Sequence, residues 1–117
     1  KATVMTFNGT AWVNVGKPGF STGYADYTSI AFNPANNQPY VVYSDYQDGG
    51  YSSKATVMTF NGTAWVNVGK PEFSAGDAYS TSIAFNPANN QPYVVYREYL
   101  NYETYENNGK ATVMTFN

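Results

Sequence analysis

Any catalysis by this sequence would have to run on carboxylates. The chain contains no histidine and no cysteine, which removes Ser-His and Cys-His nucleophilic pairs and metal sites built on imidazole or thiolate. The remaining acids are Asp26, Asp45, Asp48, Glu72, Asp77, Glu98, Glu103 and Glu106. A glycosidase needs two of them flanking a sugar bond. Asp45, Asp48, Glu98, Glu103 and Glu106 lie in two segments of variable length, and Asp26, Glu72 and Asp77 stand where two internal copies differ. No carboxylate constellation repeats between the copies, so these residues read as solvated loop charges. The stretch Ser44–Gly50 sets oxygen ligands beside glycines, but its spacing is not that of an EF-hand-like calcium loop. Arg97 is the only arginine, too few for a sialidase-type cluster, and Asn8-Gly9-Thr10-Ala11-Trp12 echoes an Asp-box only loosely. The expectation is a non-enzyme with no catalytic residue, no metal and no cofactor.

Binding chemistry is better represented. The chain holds 12 tyrosines, 7 phenylalanines and 2 tryptophans. Trp12 and Trp65 are candidate sugar-stacking platforms, or else pack against a neighbouring sheet. Tyr24, Tyr46, Tyr51, Tyr99, Tyr102 and Tyr105 fall among turn residues and read as loop tyrosines. Large area and a polar tip suit them to a subunit interface or a glycan surface. Asn8-Gly9-Thr10 and Asn61-Gly62-Thr63 are N-x-Thr sequons, making Asn8 and Asn61 candidate glycosylation sites. A net charge of −2 with 12% charged residues offers no basic field for nucleic acid or a membrane surface, and no apolar run approaches the ~20 residues of a membrane span.

The elements that must position these residues are set by an internal repeat. Residues 1–43 recur at 54–96 with five differences, Gly19/Glu72, Thr22/Ala75, Tyr24/Asp77, Asp26/Tyr79 and Tyr27/Ser80, and Lys1–Asn8 returns again as Lys110–Asn117. Repeats of this period stack units that cannot bury their apolar faces alone. The units are 1–53 and 54–109, with 110–117 beginning a third. The chain opens on Lys1 and both ends fall inside the repeat, which favours a segment of a longer protein.

Each unit holds four runs of strand character and no helical periodicity. They are Ala2–Phe7, Ala11–Val15, Thr28–Phe32 and Tyr40–Tyr43, repeated at 55–60, 64–68, 81–85 and 93–96. Asn8-Gly9 between the first two predicts a type I′ hairpin, with positive φ at both residues. Asn33–Pro39 is dense turn chemistry. Tyr40 and Val42 oppose Val41 and Tyr43, so both faces of that strand are apolar and each sheet needs cover on both sides. Small residues on the third strand, Ser29 and Ala31, suit strands crowding toward an axis. Four short antiparallel strands per unit, stacked face to face, predict an all-β protein of β-propeller-type blades; a flat β-solenoid is the alternative.

The run Thr-Ser-Ile-Ala-Phe-Asn, Gln-Pro-Tyr-Val-Val-Tyr and Lys-Ala-Thr-Val-Met-Thr-Phe-Asn-Gly-Thr-Ala-Trp-Val-Asn-Val-Gly resembles blades of tandem β-propeller repeats in secreted bacterial surface proteins. The resemblance covers the whole chain and implies an inner strand at Thr28–Phe32, with Tyr40–Tyr43, Lys54–Phe60 and Ala64–Val68 following outward. The chain then holds two outer strands (1–16), one whole blade (28–69) and a blade lacking its outermost strand (81–117). Since propellers need about four blades, it does not close a ring alone. Two functions fit. One is an extracellular structural repeat that self-associates into a filament or surface assembly, its partner being itself. The other is a multivalent carbohydrate-binding propeller with glycan partners. The strands and the Asn33–Pro39 turn are identical between copies while the tyrosine-rich segments drift, which favours the structural reading.

Overall fold

The computed structural model describes residues 1–46, 53–99 and 109–117. Asp48, Tyr51, Tyr102, Glu103, Tyr105 and Glu106 lie outside these. Nine strands run in chain order: β1 (Met5–Phe7), β2 (Trp12–Asn14), β3 (Tyr24–Phe32), β4 (Pro39–Tyr46), β5 (Ser53–Phe60), β6 (Trp65–Asn67), β7 (Asp77–Asn86), β8 (Gln91–Tyr99) and β9 (Lys110–Thr115). All pairings are antiparallel, in sheets ordered β1-β2, β3-β4-β5-β6 and β7-β8-β9. No helix occurs among the described residues.

One octapeptide takes three lengths. Lys-Ala-Thr-Val-Met-Thr-Phe-Asn is strand over three residues in β1 (Met5–Phe7), over six in β9 (Lys110–Thr115), and in β5 from its lysine, Lys54, through Phe60. β5 is paired along its length to β4 and also to β6; β1 has only the short β2 beside it. Strand length here follows the partners available, not the local sequence.

Three expectations are corrected. β3 begins at Tyr24 rather than Thr28, because pairing with β4 continues through a bulge: Asp26 faces Ser44 and Ser29 faces Val42, so Tyr27 and Thr28 together oppose Tyr43. Tyr27 adopts φ 54° there, as does Ser80 in the second copy. Tyr24 is thus a strand residue, and so are Tyr46 and Tyr99, because β4 and β8 run three residues past their expected ends. The Asn-Gly hairpins are not type I′, since Gly9 and Gly62 have positive φ but Asn8 and Asn61 do not. The Asn8 Oδ1 accepts from the Thr10 and Ala11 amides, both at 2.9 Å, and the Asn8 amide donates to the Ala11 carbonyl at 3.0 Å. That side-chain cap supports a four-residue loop in place of the two-residue turn.

The four-stranded sheet lies between the other two. One face sends Val42, Ala55 and Val57 against Ala78, Ile83, Val94 and Tyr96 of the three-stranded sheet. The other sends Val41, Tyr43 and Met58 against Val4 and Phe20. Polar bonds knit β3 to β7 across the sheets: the Thr81 hydroxyl donates to the Tyr27 carbonyl, and the Ile83 amide donates to Ser29 Oγ at 3.3 Å. β4 is consequently buried on both faces, as its double-faced apolar pattern requires.

Candidate functional site

The two tryptophans occupy equivalent positions in the repeat and unlike environments. The Trp65 indole lies flat on Phe20, centroids 4.2 Å apart and planes 10° from parallel, with Phe60 tilted at 5.5 Å. Its Nε1 donates to the Val15 carbonyl at 2.8 Å. The seat depends on Gly16, whose φ is +71° and where an added Cβ would come within 2.7 Å of Phe60 and 2.8 Å of the indole nitrogen. Trp65 is therefore packed into the joint between β6 and the 15–20 segment, half-buried and with one indole face laid on Phe20. Trp12 is 65% exposed and, among the rings of the described residues, touches only that of Phe7, at 5.7 Å.

A second seat of the same kind stands open. An apolar cavity of about 120 Å³ is lined by Val57, Val68, Gly69, Lys70, Phe73, Pro92, Val94, Met114, Thr115 and Phe116. In the preceding repeat the same residue types, in the same order, are Val4, Val15, Gly16, Lys17, Phe20, Pro39, Val41, Met58, Thr59 and Phe60. Those include the groups that hold Trp65. Gly69 repeats the Gly16 conformation at φ +70°, with the Phe116 ring in place of Phe60 against its missing Cβ. At the opposite end of the stack, a more open groove of about 280 Å³ runs between Val4, Met5, Ile30 and Val41.

The strand tyrosines do not form one surface. Tyr24 is exposed and tilted against Tyr46 at 6.1 Å. Tyr99 meets Tyr79 edge-on at 5.3 Å, Tyr79 meets Tyr27 at 5.8 Å, and the Arg97 guanidinium lies 5.6 Å from the Tyr79 ring and 5.4 Å from the Tyr99 ring. That Tyr27, Tyr79 and Arg97 come together was not legible in the sequence, since the bulge hides which residues share a face. Asn8 and Asn61 sit at exposed hairpin tips, and the Oδ1 of each caps its own loop.

Three carboxylates are not solvated loop charges. Asp45, Asp77 and Glu98 are buried, and Asp45 and Glu98 are equivalent in the repeat, inside β4 and β8. Glu98 Oε2 accepts from Thr112 Oγ1 at 2.9 Å and its Oε1 from the Gly76 amide at 3.0 Å. Asp45 Oδ2 accepts from Thr56 Oγ1 at 3.3 Å, and Asp77 Oδ1 accepts from the Ser53 amide at 3.0 Å. These acids are fastened to the neighbouring strand or the loop before the next one, a positioning role that meets the rule that buried charge must be hydrogen-bonded. The repeat register carried the signal, since 45 and 98 are 53 apart, but Asp and Glu place their carboxylates at different reach and the surrounding sequences diverge.

Beneath them lie two buried phenols. Burial, then Asp45 and then Glu72, push the Tyr43 hydroxyl well above its ordinary value; burial and then Glu98 push Tyr96 up to about 12. Each hydroxyl donates to a methionine sulfur, Tyr43 to Met58 at 3.3 Å and Tyr96 to Met114 at 3.2 Å. Both therefore stay neutral donors through the physiological range. Among the described residues no three Asp or Glu side chains gather as a metal site. The chain matches no protein-family model, no curated protein and no solved structure.

Proposed function

We propose that this chain is a structural repeat protein without catalytic chemistry, extracellular or at a cell surface, whose sheets are propeller-type blades and whose copies associate into a filament or surface assembly. One observation carries this reading. Residues that are buried in the middle of the stack are exposed at its ends in their repeat equivalents: Ile30 is 46% exposed where Ile83 is 5%, and Val95 is 41% exposed where Val42 is 0%. Two opposite faces with the composition of a core are a head-to-tail interface in outline, and heterologous contacts of that kind give rings when the rotation closes and fibres when it does not. The acids support the reading because they brace strands, and the seating of Trp65 takes one of two equivalent platforms from the carbohydrate-binding alternative. Electron microscopy of the chain over a concentration series tests it. Rings or fibres are expected, and separate single chains at every concentration would overturn the proposal.

A further inference from the structure

The open cavity beside Phe73 has an internal reference that says what fills it. All ten residues that line it are matched in type and order by residues of the preceding repeat, and there the seat is taken by an indole stacked on Phe20 and bonded to Val15. Phe73 and Val68 are the equivalents of those two partners. We propose that the cavity is the seat for Trp12 of a second copy of this chain, delivered when that copy's β1-β2 hairpin displaces β9. This rests on the self-association reading and names its contact.

The exchange is between identical strands. β9 pairs with β8 from Glu98–Lys110 to Tyr93–Thr115. Lys1–Thr6 of the incoming copy has the same sequence as Lys110–Thr115, so it can remake each of these pairs in the same register. Nothing in the ladder is lost, whereas three things are gained. β2 arrives as the fourth strand, making β7-β8-β1-β2 equivalent to β3-β4-β5-β6. Trp12 leaves water for Phe73. The incoming copy's Ile30 meets the β7-β8 face that bears Val95, as Ile83 meets the face that bears Val42. Both exposed ends are covered by one movement, and β9 is released.

Sedimentation of the wild-type chain, three variants and one mixture tests this. The wild-type chain should associate. Trp12→Ala removes an exposed ring, so the monomer should keep its fold while association weakens by about 30-fold or more, the range of a tryptophan at the centre of an interface. Phe73→Leu keeps core volume but removes the stacking face, and should weaken self-association about tenfold or more. An equimolar mixture of the two variants should form a heterodimer more tightly than either forms homodimers, because one retains the seat and the other the ring. Val113→Pro destabilises β9 without touching Val4 of β1 and should tighten association by removing the competitor strand. Association of Trp12→Ala at wild-type strength would overturn the assignment of the seat while leaving self-association standing. Weaker association of Val113→Pro would overturn strand exchange. A wild-type chain that stays monomeric, including one that takes up N-acetyl-tryptophanamide in the cavity, would overturn both the occupant and the reading beneath it.

Discussion

β4 and β8 share the run Pro-Tyr-Val-Val-Tyr and live in different surroundings. In β4 both faces are covered; in β8 Pro92, Val94, Tyr96 and Glu98 are buried while Tyr93, Val95 and Arg97 are exposed. Over the shared run nothing local distinguishes the two. The third sheet covers β4, and no sheet among the described residues covers the far face of β8. In a stacked repeat, then, a side chain's worth is set by whether a neighbour is present, and the chain carries internal controls for that statement.

The strongest test pairs equivalent core residues. Ile83→Ala should cost about 2–5 kcal/mol, as for a large apolar side chain removed from a packed core, whereas Ile30→Ala should stay within about 0.5 kcal/mol, as for a surface site. Urea unfolding at concentrations too low for association measures both. Equal losses would mean that Ile30 is already covered in the isolated chain.

Glycines give the next contrast. Gly62 and Gly16 both have positive φ, but an added Cβ meets nothing within 4 Å at Gly62 and two rings at Gly16. Gly62→Ala should therefore cost only the left-handed backbone term, about 1–2 kcal/mol. Gly16→Ala adds overpacking of about 1–3 kcal/mol and should unseat Trp65. A Gly16→Ala chain no less stable than Gly62→Ala would show that the indole seat is loose.

Alkaline pH probes the two buried phenols. Tyr96 titrates near 12 and Tyr43 is raised as well, against about 10 for tyrosine in an unfolded chain. The folded chain thus holds protons that the unfolded chain has released. This stability is fully present below about pH 10 and is lost as pH rises through the folded values. The double variant Tyr43→Phe, Tyr96→Phe should show a flatter decline of the unfolding midpoint above about pH 10. A decline as steep as wild type would trace the effect to other groups.

Smallest of all should be Val95→Ala, within about 0.5 kcal/mol in the dilute chain, against Val42→Ala, which opens a cavity where Val42 is wholly buried. The gap should narrow as concentration rises and β8 gains a cover.

Much of this architecture was legible because period-2 alternation and turn residues report backbone geometry directly. The approximate positions of the nine strands follow from the repeat and from where Asn-Gly and Asn-Pro fall, and the two, four and three strand division from the resemblance to propeller blades. Tyr24, Tyr46 and Tyr99 were misplaced because a bulge at Tyr27 in β3, and its counterpart at Ser80 in β7, breaks the alternation and strand pairing resumes beyond it. The Asn8 turn was misjudged since a side-chain cap competes with the backbone turn that the dipeptide favours. Asp45 and Glu98 looked like loop charge because burial of an acid depends on donors from distant strands, Thr56 and Thr112, which no local pattern announces. The fates of Trp12 and Trp65 were invisible for a simpler reason: they have the same flanking sequence, and only the three-dimensional stack tells them apart.

That last pair offers the most direct measurement. Fluorine NMR of the chain labelled with 5-fluorotryptophan gives one signal for each indole, assigned with Trp12→Phe. In dilute solution Trp12 should report water and Trp65 a packed ring. As concentration rises, the Trp12 signal should give way to one at or near the Trp65 position, with Trp65 itself unmoved. A Trp12 signal that keeps its exposed position while larger species accumulate would contradict the claim that the missing neighbour of each end is another copy of this chain.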